Sequence, residues 1–278
     1  MLLRLQQWQR QAQQQLAAVS QTPDIDARLC LCHVLQVTNS YLYREAERLL
    51  TQTEQQTLDE IVRQRISGQP LAYLFGHWSF YDLVLEVAPC TLIPRPDTEC
   101  LVEQALNVSL PDDARVLDLG TGTGAIALAL AKQKPLWQVV AIDAVADAVA
   151  LAERNRQQHA IDNCTVLQSD WFSALAGQQF ELIVSNPPYI DPADPHLAAL
   201  TFEPLSALVA ANHGMADLQK IISTAGQFLT CGGWLWLEHG YDQADAVQHL
   251  LQQHGFSKIE SKRDYGNNWR LSGGCWQP

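Results

Sequence analysis

The chain has 278 residues, 47% of them hydrophobic, with a formal net charge of −12 and a pI near 5.0. That length and apolar content suffice for one large domain, or for a domain with a smaller companion. The acidity argues against a general nucleic-acid binder, which normally carries a basic patch or stripe, and suits a soluble protein able to attract a basic protein partner. The seven cysteines (Cys30, Cys32, Cys90, Cys100, Cys164, Cys231 and Cys275) are odd in number and form no repeated Cys-x-x-Cys. Neither a disulfide framework nor a zinc site is expected, and no metal is assigned. Cys30 and Cys32 lie two residues apart, which does not place them on one helix face, so packing is their expected role. The amino-terminal segment lacks the long apolar stretch of a signal peptide, and no run approaches the ~20 apolar residues of a membrane span. A cytoplasmic protein, monomeric and without membrane contact, is expected.

Leu2, Leu5, Trp8 and Leu16 recur at roughly helical spacing in a Gln-rich segment and predict a first helix. Thr22-Pro23-Asp24 opens a second, with proline near its first turn and Ala27, Leu31, Val34 and Leu35 as apolar members. A third runs from about Thr53 to Ile66, with Leu58, Ile61, Val62 and Arg65 in period, and stops at Ser67-Gly68-Gln69-Pro70. Residues 1–70 therefore read as a small helical bundle domain. Residues 71–95 are aromatic and β-branched; Tyr73 to Tyr81 and Leu83 to Val87 predict a hairpin linking two domains. The segment Ile93 to Glu99 then leads into a helix from Cys100 to Asn107.

Residues 96–278 form the remaining domain, and from residue 114 onward strands and helices alternate. Strands are expected at Arg115–Leu119, Gln138–Asp143, Thr165–Gln168, Leu182–Ser185, Trp234–Glu238, Ser257–Ser261 and Trp269–Ser272. Helices are expected at Ala125–Lys132, Ala146–His159, Met215–Leu229 and Gln243–His254, with Cys231-Gly232-Gly233 as the turn before a strand. Such alternation argues for an α/β fold: a mostly parallel, Rossmann-like sheet with helices on both faces.

Asp118 closes the first of these strands, and Gly120-Thr121-Gly122-Thr123-Gly124 joins it to its helix. Glycines allow tight turns and close approach of a ligand, and the helix amino-terminus behind them favours an anionic group. The spacing is Gly-x-Gly-x-Gly, which is neither the dinucleotide fingerprint nor a P-loop. Asp143 ends the second strand about 20 residues on, where a carboxylate can accept both ribose hydroxyls of an adenosine. A structural βα turn or a dehydrogenase site are the competing readings. The set of Asp118, the glycines and Asp143 resembles the S-adenosylmethionine site of class I methyltransferases. Trp171, in Asp170-Trp171-Phe172 after a later strand, either flanks the adenine ring or packs in the core.

Asn186-Pro187-Pro188-Tyr189 follows the apolar run from Phe180 to Val184. Two prolines cannot continue a ladder, so the strand ends in a rigid turn presenting a side-chain amide, free backbone oxygens and an aromatic ring. The turn either merely terminates the strand or grips a planar NH2 group. With a methyl donor nearby the second reading gains chemistry. An amide or aromatic amine is a poor nucleophile because its lone pair is delocalised. The Asn186 side-chain oxygen and the Pro187 carbonyl can accept its two N–H bonds and hold the nitrogen in line with the methyl group, while Tyr189 stacks on the planar group.

The Asn-Pro-Pro-Tyr motif alone resembles two methyltransferase groups, those acting on adenine N6 of nucleic acids and those acting on glutamine amides. With the helical amino-terminal domain, the segment Ile93 to Glu99 and the run Val184 to Ile190, the chain resembles the PrmC/HemK family from about residue 20 to 270. Phe202-Glu203-Pro204, Glu238-His239-Gly240 and Asp264-Tyr265-Gly266 also match. That resemblance implies a protein-(glutamine-N5) methyltransferase that uses S-adenosyl-L-methionine. Its implied partner and substrate is a class 1 peptide chain release factor, methylated on the glutamine of its Gly-Gly-Gln motif. Carried over by position, Gly120, Thr121, Gly122, Thr123, Gly124, Asp143, Trp171 and Asn186 hold the cofactor. Asn186, Pro187, Pro188 and Tyr189 line the glutamine pocket, with Asn186, Pro187 and Tyr189 catalytic. Arg95 and Glu99 receive no role. One departure stands out: Leu200-Thr201 precede Phe202 where an arginine and a slightly longer loop are common, so looser substrate contact is expected there.

Overall fold

The computed structural model describes residues 2–277, and the chain divides into two compact units between Gly76 and His77. In the first unit, α1 (Leu5–Leu16), α2 (Pro23–Leu35) and α4 (Gln52–Ile66) pack on one another, with two short helices added, α3 (Asn39–Arg44) and α5 (Leu71–Phe75). Leu5, Trp8, Leu16, Ala27, Leu31, Leu58 and Val62 are buried, as their spacing demands, whereas Leu2 is exposed. Thr51 and Glu54 cap α4 reciprocally: each side chain accepts from the other's backbone N–H. Trp8 donates its indole N–H to Asp59 at 2.8 Å, and Arg65 pairs with the largely buried Asp26 at 3.1 Å.

Two sequence expectations change here. α3 has six residues, too few to display a period. Residues 71–75, expected to begin a hairpin, are helical, and Gly76 at φ +74° ends that turn. Their aromatic content resembled a strand; the segment instead forms one helical turn that buries Leu71 and Ala72.

The second unit opens with the hairpin β1 (His77–Phe80) and β2 (Leu83–Glu86), which packs on the helices of that unit. α6 (Pro96–Asn107) follows, starting four residues earlier than expected because Pro96 suits a first helical turn. Next come β3 (Arg115–Leu119), α7 (Ala125–Gln133), β4 (Gln138–Asp143), α8 (Ala146–Gln158), β5 (Cys164–Gln168) and β6 (Phe180–Ser185). Two short 3-10 turns, Pro195–Ala199 and Leu205–Ala207, lie in the loop after β6, and α9 (Ala216–Ala225), β7 (Leu229–Glu238), α10 (Ala244–Gln253), β8 (Phe256–Arg263) and β9 (Trp269–Trp276) complete the fold.

The seven strands lie in the order β5-β4-β3-β6-β7-β9-β8, with β9 antiparallel to both its neighbours and the rest parallel. This is the class I methyltransferase sheet. Alternate strand residues feed two cores. Val116, Ala141, Val184 and Trp236 face α6 and α7, and Leu117, Ile142, Ile183 and Leu237 face α9 and α10. Burial on both faces explains the near-continuous apolar runs.

The largest correction concerns β7. Cys231-Gly232-Gly233 is a bulge inside this strand, not the turn before it. α9 ends at Ala225, β7 pairs with β6 from Leu229, slips register, and resumes at Trp234. Gly232 sits at φ +86°, a backbone state that glycine adopts without strain. At the other side of β7, a Cβ on Gly273 would lie 2.4 Å from the Trp236 ring and 2.5 Å from the Leu235 carbonyl. Gly273→Ala is therefore expected to destabilise the protein by about 1–3 kcal/mol through overpacking, read as a lower midpoint in urea at unchanged slope.

Candidate active site

Strand register assembles the site. Leu119 pairs with Ile142 on one side and with Ser185 on the other, and Ser185 pairs with Leu237. The next residue of each strand therefore falls in one row at the carboxyl edge of the sheet: Asp143, Gly120, Asn186 and Glu238. The Ser185 hydroxyl, fully buried, donates to the Leu119 carbonyl at 2.7 Å and locks the central pair. β3 and β6 leave the sheet centre in opposite directions, which makes this the crevice where open α/β sheets bind ligands.

Gly120, Gly122 and Gly124 stand at φ +71°, +55° and +84°. The Thr121 N–H donates to the Ile142 carbonyl at 2.8 Å and its hydroxyl to Asp118 Oδ2 at 2.7 Å. Asp118 also accepts from the Ala127 N–H at 3.2 Å. Burial pushes the Asp118 carboxyl up to about 7, opposed by these hydrogen bonds and assisted by the Asp143 charge. Asp143 accepts from the Gly122 N–H and the Val145 N–H, both at 2.9 Å, one on each oxygen. Each oxygen keeps a free lone pair, so the carboxylate is oriented to accept a pair of vicinal hydroxyls. Asn155, wholly buried on α8, donates to the Thr123 carbonyl and to the Glu86 carbonyl and accepts from the Glu86 N–H, tying the glycine loop to the hairpin.

A cavity of about 290 Å³ opens above this row. Gly120, Thr121, Gly122, Thr123, Asp143 and Trp171 line one part of it, and Asn186 and Pro188 another. Gly124 packs beneath instead: a Cβ there would touch Leu128 at 3.0 Å. Pro187 is buried and Tyr189 is half-buried against the α9–α10 core, so neither side chain borders the cavity. Trp171 adopts φ +48°, uncommon for so bulky a residue, and its carbonyl accepts from the Ser169 hydroxyl at 2.6 Å. A Cβ on Gly120 would lie 3.7 Å from the Trp171 ring, so the ring rests over the glycine loop at the cavity wall.

Asn186 donates through Nδ2 to the Thr98 hydroxyl at 3.1 Å. Its side-chain oxygen and the Pro187 carbonyl accept no hydrogen bond among the described residues. The Tyr189 hydroxyl donates to Glu238 Oε1 at 3.1 Å, and burial, the Glu238 charge and that hydrogen bond push its pKa up, so it remains a phenol. The Tyr189 carbonyl accepts from Gln243 Nε2 at 3.0 Å and crowds Gly214, where a Cβ would lie 2.0 Å away and φ is +80°.

Arg95 and Glu99 acquire definite positions. Glu203, with a side chain only 3% exposed, accepts from the Arg95 guanidinium and from the Ile93 N–H at 3.0 Å. Glu203 thus staples the 93–95 segment, one wall of the cavity, to the loop after Asn-Pro-Pro-Tyr. Glu99 accepts from the Tyr81 N–H at 2.8 Å and fixes the hairpin turn. Sequence reasoning assigned no role to Thr98, Glu203, Gly214, Glu238 or Gln243. Glu238 carried a local signal, since it ends an apolar strand as Asp143 does, and Thr98 and Glu203 lie in segments that already matched the family.

The family model described as "Methyltransferase small domain" matches residues 97–202, and that described as "PrmC N-terminal domain" matches residues 7–76. A curated protein of Salmonella typhimurium named "Release factor glutamine methyltransferase" is 52% identical over 275 residues, covering 98% of this chain and 99% of that protein. One of the same name from Pseudomonas aeruginosa is 50% identical over 264 residues, covering 92% and 96%. The crystal structure of a methyltransferase from Pyrococcus furiosus shares the fold, with a TM-score of 0.57 at 18% identity, and covers 78% of this chain and 98% of that one. With half its residues shared along almost the full length of such relatives, the chain belongs to the release factor glutamine methyltransferase family.

Proposed function

We propose that the protein transfers a methyl group from S-adenosyl-L-methionine to the side-chain amide nitrogen of the glutamine in the Gly-Gly-Gln motif of class 1 peptide chain release factors. The observation that carries this reading is the Asn186 carboxamide. Its nitrogen is held by Thr98, neither its oxygen nor the Pro187 carbonyl accepts a hydrogen bond among the described residues, and Asn186 stands in the same row as Gly120 and Asp143. The residues fit the methyl donor: the glycine loop leaves room for close backbone approach, Asp143 presents two oriented acceptors to a ribose, and Trp171 offers a flat wall. When bound, S-adenosyl-L-methionine supplies an electrophilic methyl group on a good leaving group, so the protein's task is to present the nitrogen.

Two acceptors, Asn186 Oδ1 and the Pro187 carbonyl, take the two amide N–H bonds and let the nitrogen lone pair localise towards the methyl group. The dipoles are in place before reaction, which is where electrostatic catalysis gains most. The nitrogen becomes acidic as it is alkylated, so its proton leaves late. Residues 1–70 serve in recognising the release factor, residues 71–95 act as a linker, and residues 96–278 form the methyltransferase domain of a cytoplasmic monomer. No helix among the described residues is long and apolar enough to cross a membrane.

Incubation with a release factor and labelled methyl donor is expected to place the label on the Gly-Gly-Gln peptide, identified by mass spectrometry; label on adenine of a nucleic acid instead would overturn the assignment. Asn186→Ala should cost at least about 10²-fold in kcat with little change in cofactor affinity, as read by steady-state kinetics beside calorimetry. Asp143→Ala should do the reverse. Loss of two charge-assisted hydrogen bonds weakens cofactor binding by about tenfold or more, measured as the dissociation constant in the absence of release factor.

A further inference from the structure

Two walls of the cavity, from different parts of the chain, meet on one buried side chain. The glycine loop supplies the first wall. Residues 87–95, which run from the end of β2 towards α6, supply the second; Cys90, Thr91, Leu92, Pro94 and Arg95 line the cavity. The two walls approach closely, since a Cβ on Gly122 would lie 3.8 Å from the Thr91 Cβ. Asn155, on α8 and 0% exposed, bonds to both sides. It donates to the Thr123 carbonyl of the loop at 2.9 Å. At Glu86, the last residue of β2, it donates to the carbonyl at 3.0 Å and accepts from the N–H at 2.7 Å. We propose that Asn155 is a positioning residue for the cofactor: it sets the spacing between the glycine loop and the 87–95 strap, and so determines how tightly S-adenosyl-L-methionine is held.

Both hydrogens of the Asn155 amide are committed, one to each wall, and its oxygen is engaged as well. Towards Glu86 the carboxamide behaves as a neighbouring strand would, offering a donor and an acceptor to the backbone of one residue. The second hydrogen goes to Thr123, which is 2% exposed. An apolar side chain of the same size would leave that buried carbonyl without its donor, at a cost in free energy. The loop is fastened earlier by the Thr121 N–H on the Ile142 carbonyl and by the Gly122 N–H on Asp143. Asn155 carries the fastening across to the strap. Ala152, one turn earlier on α8, backs the same loop: its Cβ would lie 3.4 Å from a Cβ on Gly124.

The neighbouring Arg154 also reaches Glu86, donating to its carboxylate at 2.8 and 2.9 Å, but both side chains are exposed and such pairs contribute little. The far end of the strap is held by Glu203 through Ile93 and Arg95. Asn155 therefore controls the end beside the glycine loop. Neither Asn155 nor Glu86 borders the cavity, so their influence on a ligand passes through Thr123 and the strap. This role rests on the S-adenosyl-L-methionine reading above and deepens it.

The test measures the S-adenosyl-L-methionine dissociation constant by calorimetry without release factor, kcat at saturating cofactor, and melting temperature. Asn155→Asp keeps the shape and the acceptor for the Glu86 N–H but turns an oxygen towards the Thr123 and Glu86 carbonyls; Asn155→Ala removes all three bonds. Both should raise the dissociation constant by about tenfold or more while kcat at saturation stays within about threefold. Gly273→Ala, which crowds Trp236 and the Leu235 carbonyl on β7, is the stability control and should bind cofactor as the wild type does. Where the Asn155 variants do not fold, hydrogen exchange of the wild type decides. Bound cofactor should slow exchange of the Glu86 amide, which lies outside the cavity, together with that of Gly122. Wild-type affinity in folded Asn155 variants, an equal loss in Gly273→Ala, or a Glu86 amide indifferent to cofactor would overturn the positioning role. A wild type that binds no S-adenosyl-L-methionine would overturn the cofactor reading first and this role with it.

Discussion

The parallel pairing of β3 with β6 is the constraint on which the site depends. Leu119 and Ser185 are 66 positions apart in the chain, yet they sit side by side, fastened by a buried 2.7 Å hydrogen bond. A slip of one residue would turn every buried side chain of β6 to the opposite face, against cores that accept no such exchange. The same register that fills the two cores therefore places the glycine loop beside the Asn-Pro-Pro-Tyr turn. Donor site and acceptor site are brought together by packing that has no chemistry of its own.

Three carboxyls lie in or just below the row at the sheet edge, and the chain treats them differently. Asp143 is satisfied by two backbone N–H groups and keeps spare acceptor capacity towards the cavity. Asp118 and Glu238 are wholly buried and each has an oxygen without a partner, so both rise to about 7. Burial of an under-satisfied carboxyl opposes stability. Asp118 offsets part of that cost by stapling Thr121 and the start of α7, which shapes the loop. Glu238 offsets it by organising the turn on the neighbouring strand.

Much of this was legible in the sequence. Strands buried on both faces appear as apolar runs, and a residue that abruptly ends such a run (Asp143, Asn186) announces itself at the carboxyl edge. The glycine loop was readable because positive φ values restrict the residue type. What local pattern does not encode is lateral neighbourhood. Thr98, Gly214 and Gln243 act on Asn186 or Tyr189 from 88, 25 and 54 residues away. Their importance follows from strand order and loop crossing, which no window of sequence contains. The bulge at Gly232 was misread for a related reason. Glycine pairs suggest a turn, and only pairing of Leu229 with Phe180 shows that the strand had already begun.

Leu200-Thr201, where looser substrate contact is expected from the sequence, lies between anchors on either side. Before it, Ile190 exchanges backbone hydrogen bonds with Leu208 and Ala210, and the Tyr189 carbonyl is held by Gln243. After it, Glu203 is buried and bonded to Ile93 and Arg95. Between these points the chain is organised by short-range contacts: Asp194 caps the 3-10 turn at Pro195, and Asp191 pairs with the exposed His213. Leu200 itself accepts from the Glu203 N–H at 3.0 Å, so this stretch ends on the residue that holds the cavity wall. Asn186 and Tyr189 are held by Thr98, Glu238 and Gln243, none of which belongs to this loop, whereas Glu203 at the end of the loop holds the 93–95 wall of the cavity.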